Sequence, residues 1–231
     1  MEMSLLLPVL QETDKYLWKR YHEAVWESCE CGLNLAFAVK NAKKRVSEQE
    51  ARFAFVHFLN SNNFSYAVEF PTEKEYCQSK EGHFRKAQFD LRIYDSNQAS
   101  FINCEFKHGT ITPEAHSSFP IKKDLEKILR DPGDGLWFHL LESIGNNTLG
   151  NLFQVIKNDI LYLLKENQDV DDKEILFHVA VLRHKIALST KISVGRLIGL
   201  SQDDFDEISC DIKRNGTVNR LETKWDKYSN Q

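Results

Sequence analysis

The chain has 231 residues, of which 42% are hydrophobic and 28% charged, with 10 Gly and 5 Pro; this composition excludes a disordered, collagen-like or low-complexity protein. A chain of this length buries roughly 70% of its unfolded surface, enough for a core without metal or disulfide staples. The 34 acids against 30 bases leave a formal charge of −4, which argues against a histone-like binder of nucleic acid but not against a local basic groove.

The opening residues Met1 to Pro8 carry an apolar run too short for a secretory leader and lack a basic flank. No window approaches the roughly 18 apolar residues of a membrane span, so no membrane association and a cytoplasmic location are expected. The five cysteines are odd in number, and Cys29-x-Cys31 has no second pair, so reduced thiols are expected rather than a zinc site or disulfides.

From Glu12 to about Lys44, Tyr16, Leu17, Tyr21, Ala24 and Val25 recur at helical spacing, with Gly32 as a break. Ser47-Glu48-Gln49-Glu50 is a capping box ahead of Ala51, Phe55, Val56, Phe58 and Leu59, and Asn60 to Asn63 ends that helix. The period then becomes alternating. Strands are expected over 64–70, 84–94 and 99–107, the last two joined by a turn at Asp95 to Gln98. A helix from Ile121 to Leu129 is stopped by Asp131-Pro132-Gly133. Residues 136–141 read as a buried strand, 149–166 as an amphipathic helix, 175–188 as one strand and 194–200 as a short helix. Asn215-Gly216 marks a C-terminal hairpin. The order implies an α/β fold, a mixed sheet with helices on both faces, in a single domain. Within it, 1–44 form a helical extension, 45–141 the core, and 142–231 a helix and strands that complete the sheet.

The chemistry concentrates in Phe89 to Tyr94 and Phe101 to Lys107. Along a strand side chains alternate, so Asn103, Glu105 and Lys107 share one face while Ile102, Cys104 and Phe106 share the other. A hairpin folded about Asn97 sets Asp90 against Asn103 or Cys104, one diagonal step of about 7 Å from Glu105. Two carboxylates at that spacing, with an ammonium two residues on, suit a hard-oxygen divalent metal site beside a water-orienting cation. The competing interpretation is an exposed polar strand face with surface ion pairs worth under about 1 kcal/mol.

Asp90, fourteen intervening residues and then Glu105-Phe106-Lys107 resembles the D-x(n)-(D/E)-x-K signature of the PD-(D/E)XK nuclease superfamily. The element order over 45–141 is similar to that superfamily's restriction-endonuclease-like core, although Phe89 stands where many members have proline before the aspartate. The resemblance implies a metal-dependent endonuclease or exonuclease acting on phosphodiester bonds, with DNA the first expectation as substrate. It implies that Asp90, Glu105 and the backbone carbonyl of Phe106 ligate Mg²⁺ or Mn²⁺. Lys107 would position or deprotonate the attacking water and stand outside any stabilising ion pair. An acid from the first core helix completes the set in many members; Glu48 is in line with Arg52, Phe55 and Leu59, and Glu50 is the alternative. A homodimer or a larger assembly, such as a restriction or phage-defence system, is the expected setting. The alternative is a catalytically silent fold used for binding or assembly.

Lys122, Lys123 and Lys127, on the helix after the motif, are candidates for phosphate contacts. Lys40, Lys43, Lys44 and Arg45 would extend a basic rim, and Arg183 and Lys185 are a further option. His108 and His116 are loop histidines that would assist water activation only incidentally. His57 and the four tryptophans read as packing residues.

Overall fold

Two β–helix–β crossovers in succession organise the sheet. In the computed structural model, residues 2–23, 33, 35–40, 43–77, 84–95, 98–110, 121–166, 173–199, 201, 203, 206 and 226–229 are described. Among the described residues the main sheet has seven strands in chain order: β3 (Ser65–Cys77), β4 (Phe84–Tyr94), β5 (Phe101–His108), β6 (Asp134–Leu141), β7 (Glu174–Val181), β8 (Ile186–Ser193) and β9 (Asp226–Ser229). Strands β5, β6 and β7 are mutually parallel, and the other neighbours are antiparallel. The parallel pairs are linked by α3 (Ile121–Arg130) and α4 (Thr148–Glu166). Crossovers of one hand that step in one direction put both helices on one face. There α3 and α4 bury Ile121, Leu125, Leu129, Phe153 and Ile156 with Trp137 and Phe177. The other face is covered by α1 (Leu7–His22) and α2 (Glu48–Ser61), which pack Leu10, Leu17, Phe55 and Leu59 on Leu91, Cys104, Phe106 and Phe138. The mixed α/β sheet with flanking helices and an N-terminal helix thus agrees with the sequence pattern.

The capping box is present in full: Ser47 and Glu50 exchange side-chain and backbone hydrogen bonds across the first turn of α2. Glu50 is thereby spent on the helix terminus. Helix α3 stops where expected, and Gly133 takes φ +87° against the ring of Phe101. Two residues on, a Cβ at Gly135 would overlap the Ile128 side chain, so this glycine lets α3 lie close on β6.

Three expectations are corrected. The first helix begins at Leu7 with Pro8 in its first turn, and ends at His22 because Glu23 is extended. The basic stretch then forms a small antiparallel pair, β1 (Ala38–Lys40) with β2 (Lys43–Arg45). Lys44 donates to the carbonyls of Arg20 (3.0 Å), Tyr21 and Glu23 (2.7 Å), so it closes the end of α1 rather than extending a basic rim. Finally, the single strand expected over 175–188 is a hairpin of β7 and β8, turning at Leu182 to Lys185 with Lys185 at φ 52°. Both strands are buried on both faces, and the charged triplet Arg183-His184-Lys185, which falls inside the expected strand, is the turn between them.

A buried polar chain joins the N-terminal helix to the sheet. His178 Nε2 lies 3.0 Å from Asp14 Oδ1, and its Nδ1 lies 2.6 Å from Ser189 Oγ. Cys104 is a buried free thiol. No helix of the described residues is long and apolar enough to cross a membrane. The Asn215-Gly216 hairpin, Cys29, Cys31, His116, Trp26 and Trp225 lie outside the described residues.

Candidate functional site

The site forms where two strands part. Pairing of β4 with β5 runs from Tyr94↔Phe101 to Leu91↔Cys104 and stops there. The register lies one residue beyond the nearer of the two expected, Asp90 against Cys104, because the turn is longer: Asp95 accepts from the Ala99 amide and the Ser100 hydroxyl, and its own amide donates to the Ser100 carbonyl. Beyond Leu91 the ladder is replaced by a side chain. The Phe106 amide donates to Asp90 Oδ2 at 2.7 Å, while Arg52 of α2 lies 3.4 Å from Asp90 Oδ1. Asp90 is therefore fixed in the gap between strands, next to the residue that follows Glu105.

Glu105 points to the α3 side and is only 2% exposed. Three charged side chains join it in an alternating ring. Lys127 Nζ is 2.5 Å from Glu105 Oε1 and 2.8 Å from Asp124 Oδ1. Lys107 Nζ is 2.6 Å from Asp124 Oδ2 and 4.0 Å from Glu105 Oε2. Burial first, then the Asp124 carboxylate and Asp90, push the Glu105 carboxyl well above its usual range, against the pull of Lys127 and Lys107. For Lys107, burial pulls downward, but Asp124 and Glu105, with Glu48 in support, outweigh it and hold the ammonium above its usual range. Lys127 is raised in the same way, with burial opposed by Glu105 and Asp124.

The structure puts Glu105 and Lys107 in one cluster, with Asp90 close enough to act electrostatically on Glu105 and Glu48 on Lys107. It differs over two lysines. Lys107 stands in a short ion pair with Asp124, not outside one. Lys127 is 8% exposed and directed into the cluster, away from any rim that would meet a phosphate backbone. Of the other α3 lysines, Lys123 is exposed and Lys122 sits over the Tyr162 ring, 3.3 Å from its centroid.

Sequence reasoning passed over Asp124 and His139. Asp124 had a signal, since it stands three residues before Lys127 on the helix that follows the motif. His139 had none; it is brought beside Lys107 by the parallel pairing of β5 and β6. Its Nε2 lies 2.8 Å from the Gly109 carbonyl, which can only accept, so Nε2 carries the proton. Nδ1 is buried with no hydrogen-bond partner among the described residues. Burial, with help from His108 and Lys107 and against the Gly109 bond, pushes His139 down to about 4. An unfolded histidine binds its proton near pH 6.5, so this group's contribution is complete above pH 6.5 and is lost as pH falls toward 4. The loss is on the order of 3 kcal/mol. Urea unfolding at pH 7 and pH 4.5 should show it in the wild type, and His139→Gln should flatten that part of the pH dependence.

The donor set suits a hard divalent cation: two carboxylates and a backbone carbonyl, all oxygen. The Lys127 ammonium occupies the Glu105 carboxylate as an ion pair. Asp90, Glu105 and the Phe106 carbonyl are the groups that would bind a divalent cation, with Glu48 at the margin. Among the described residues, no three His, Cys, Asp or Glu side chains already form a cage. Compared with known proteins, the chain matches no family model, no curated protein and no solved structure.

Proposed function

We propose that the protein is a metal-dependent phosphodiesterase, a nuclease with DNA as the first substrate to test, and that Asp90, Glu105 and Lys107 carry the reaction. The observation that carries this reading is the parting of β4 from β5, with the Asp90 carboxylate on the Phe106 amide beside the buried Glu105. A sheet with no chemistry to perform would gain more from closing that ladder and from an apolar residue at position 105. Mg²⁺ or Mn²⁺, when bound, supplies charge for the phosphoryl oxygen and acidifies water. Asp90 and Glu105 bind that cation, and Arg52 keeps Asp90 aligned. Lys107 orients the attacking water through its ammonium, and Asp124 positions Lys107 at 2.6 Å. A homodimer or a defence assembly as the setting rests on the resemblance alone. Incubation with single- and double-stranded DNA and RNA in Mg²⁺, Mn²⁺ or EDTA tests the proposal: cleavage should require metal and vanish in Asp90→Ala.

Phosphate binding is assigned to Lys122 and Lys123. Charge reversal of both should weaken substrate binding and flatten the slope of log affinity against log salt by about 1 for each phosphate no longer neutralised. An unchanged slope would move the groove elsewhere.

A second reading has its own support. Counted in their charged forms, Glu105, Asp124, Lys107 and Lys127 sum to zero charge, as they would in a silent fold that keeps the cluster for structure. Divalent-ion binding separates the two: the silent fold binds none.

A further inference from the structure

Resting on the hydrolase reading, we propose that the Lys127 ammonium is a built-in competitor for the divalent cation at Glu105, so that loading the site exchanges one cation for another. Three oxygens lie against this ammonium: Glu105 Oε1 at 2.5 Å and Asp124 Oδ1 at 2.8 Å as ion pairs, and the Gln88 carbonyl, which accepts its hydrogen bond at 2.8 Å. Long lysine side chains ordinarily lay their stem on apolar surface and leave the head in water. Lys127 does the opposite, with its residue 8% exposed and its head inside the cluster. Helix α3 is set for this, since Gly135 admits Ile128 closely against β6 one position along from Lys127.

The charges supply the reason for exchange rather than addition. Glu105 and Asp124 are matched by Lys107 and Lys127, and Asp90 by Arg52. A divalent ion added to that balanced set would leave two uncompensated positive charges in a largely buried place, at high cost. With Lys127 withdrawn from both acids toward solvent, one carboxylate is released and one positive charge leaves the cluster, while Asp124 keeps Lys107 as its partner. The protein without metal is thus held in a closed, charge-balanced state, and metal affinity is set by the contest for Glu105.

The test is direct titration of Mn²⁺ into the full chain, followed by electron paramagnetic resonance of the free ion, without substrate. Lys127→Met and Lys127→Gln should each bind Mn²⁺ about tenfold or more tightly than wild type, while Lys127→Arg, which keeps the charge, should not. The glutamine variant retains a hydrogen-bonding head, so it serves if the methionine variant does not fold by circular dichroism. Mn²⁺ bound by wild type with equal or weaker affinity in folded Met and Gln variants would overturn the exchange and leave the hydrolase reading standing. No Mn²⁺ bound by any of the proteins would overturn both.

Discussion

Asp124→Ala is expected to be the most destabilising single change at the site, at about 3–5 kcal/mol. Asp124 is the one acid in short contact with both ammoniums, at 2.6 Å from Lys107 and 2.8 Å from Lys127. Its removal leaves two positive charges in a largely buried place to share Glu105. Each ammonium then lacks a partner that water cannot easily replace, because Lys127 is 8% exposed. Urea denaturation at pH 7 measures the loss. Adding Lys127→Met to Asp124→Ala should recover part of it, since the orphaned charge leaves with the side chain. A loss under about 1 kcal/mol would mean that solvent reaches the cluster and that the ion pairs count only as surface pairs.

Lys107→Ala should lower the rate of the chemical step by about 10²-fold or more, the range for a positioned proton-transfer or electrostatic group. Single-turnover cleavage at saturating Mg²⁺ reads that step. Metal affinity should change much less, because Asp90, Glu105 and the Phe106 carbonyl are untouched. The structure adds a second effect. Asp124 loses its 2.6 Å partner but keeps Lys127, so some stability goes as well, and rates must be compared well below the melting range. Equal single-turnover rates, with or without a drop in stability, would make Lys107 a structural cation only.

The sheet and its helices were largely legible because local rules and packing agree there. The capping box at Ser47 and Glu50, the alternation in β4 and β5 and the Asp131-Pro132-Gly133 stop are short-range signals, and the fold keeps them. The errors arise where burial or distance erases local signals. The turn between β7 and β8 is a charged triplet, Arg183 to Lys185, with no glycine, proline or asparagine to mark it, set between strands buried on both faces. The β4–β5 register lies beyond both expected pairings of Asp90, with Asn103 or Cys104, because Asp95 caps a longer turn through its side chain. At the site, the motif residues themselves were visible as strand-borne acids and a lysine. What surrounds Glu105 was not. That Lys127 turns inward depends on how closely α3 docks at Gly135, and that His139 stands beside Lys107 depends on parallel pairing across a crossover. Neither is encoded within a short window.

The central claim is that the acids held at the parting of β4 and β5 support metal-dependent hydrolysis of phosphodiester bonds. Its most direct test is cleavage of single- and double-stranded DNA and RNA by wild type and Asp90→Ala, side by side in Mg²⁺, Mn²⁺ and EDTA. Cleavage by wild type is expected with either metal, with none in EDTA and none by Asp90→Ala that remains folded by circular dichroism. Cleavage that persists in EDTA or in folded Asp90→Ala, or no cleavage of any substrate by wild type with either metal, would contradict the claim.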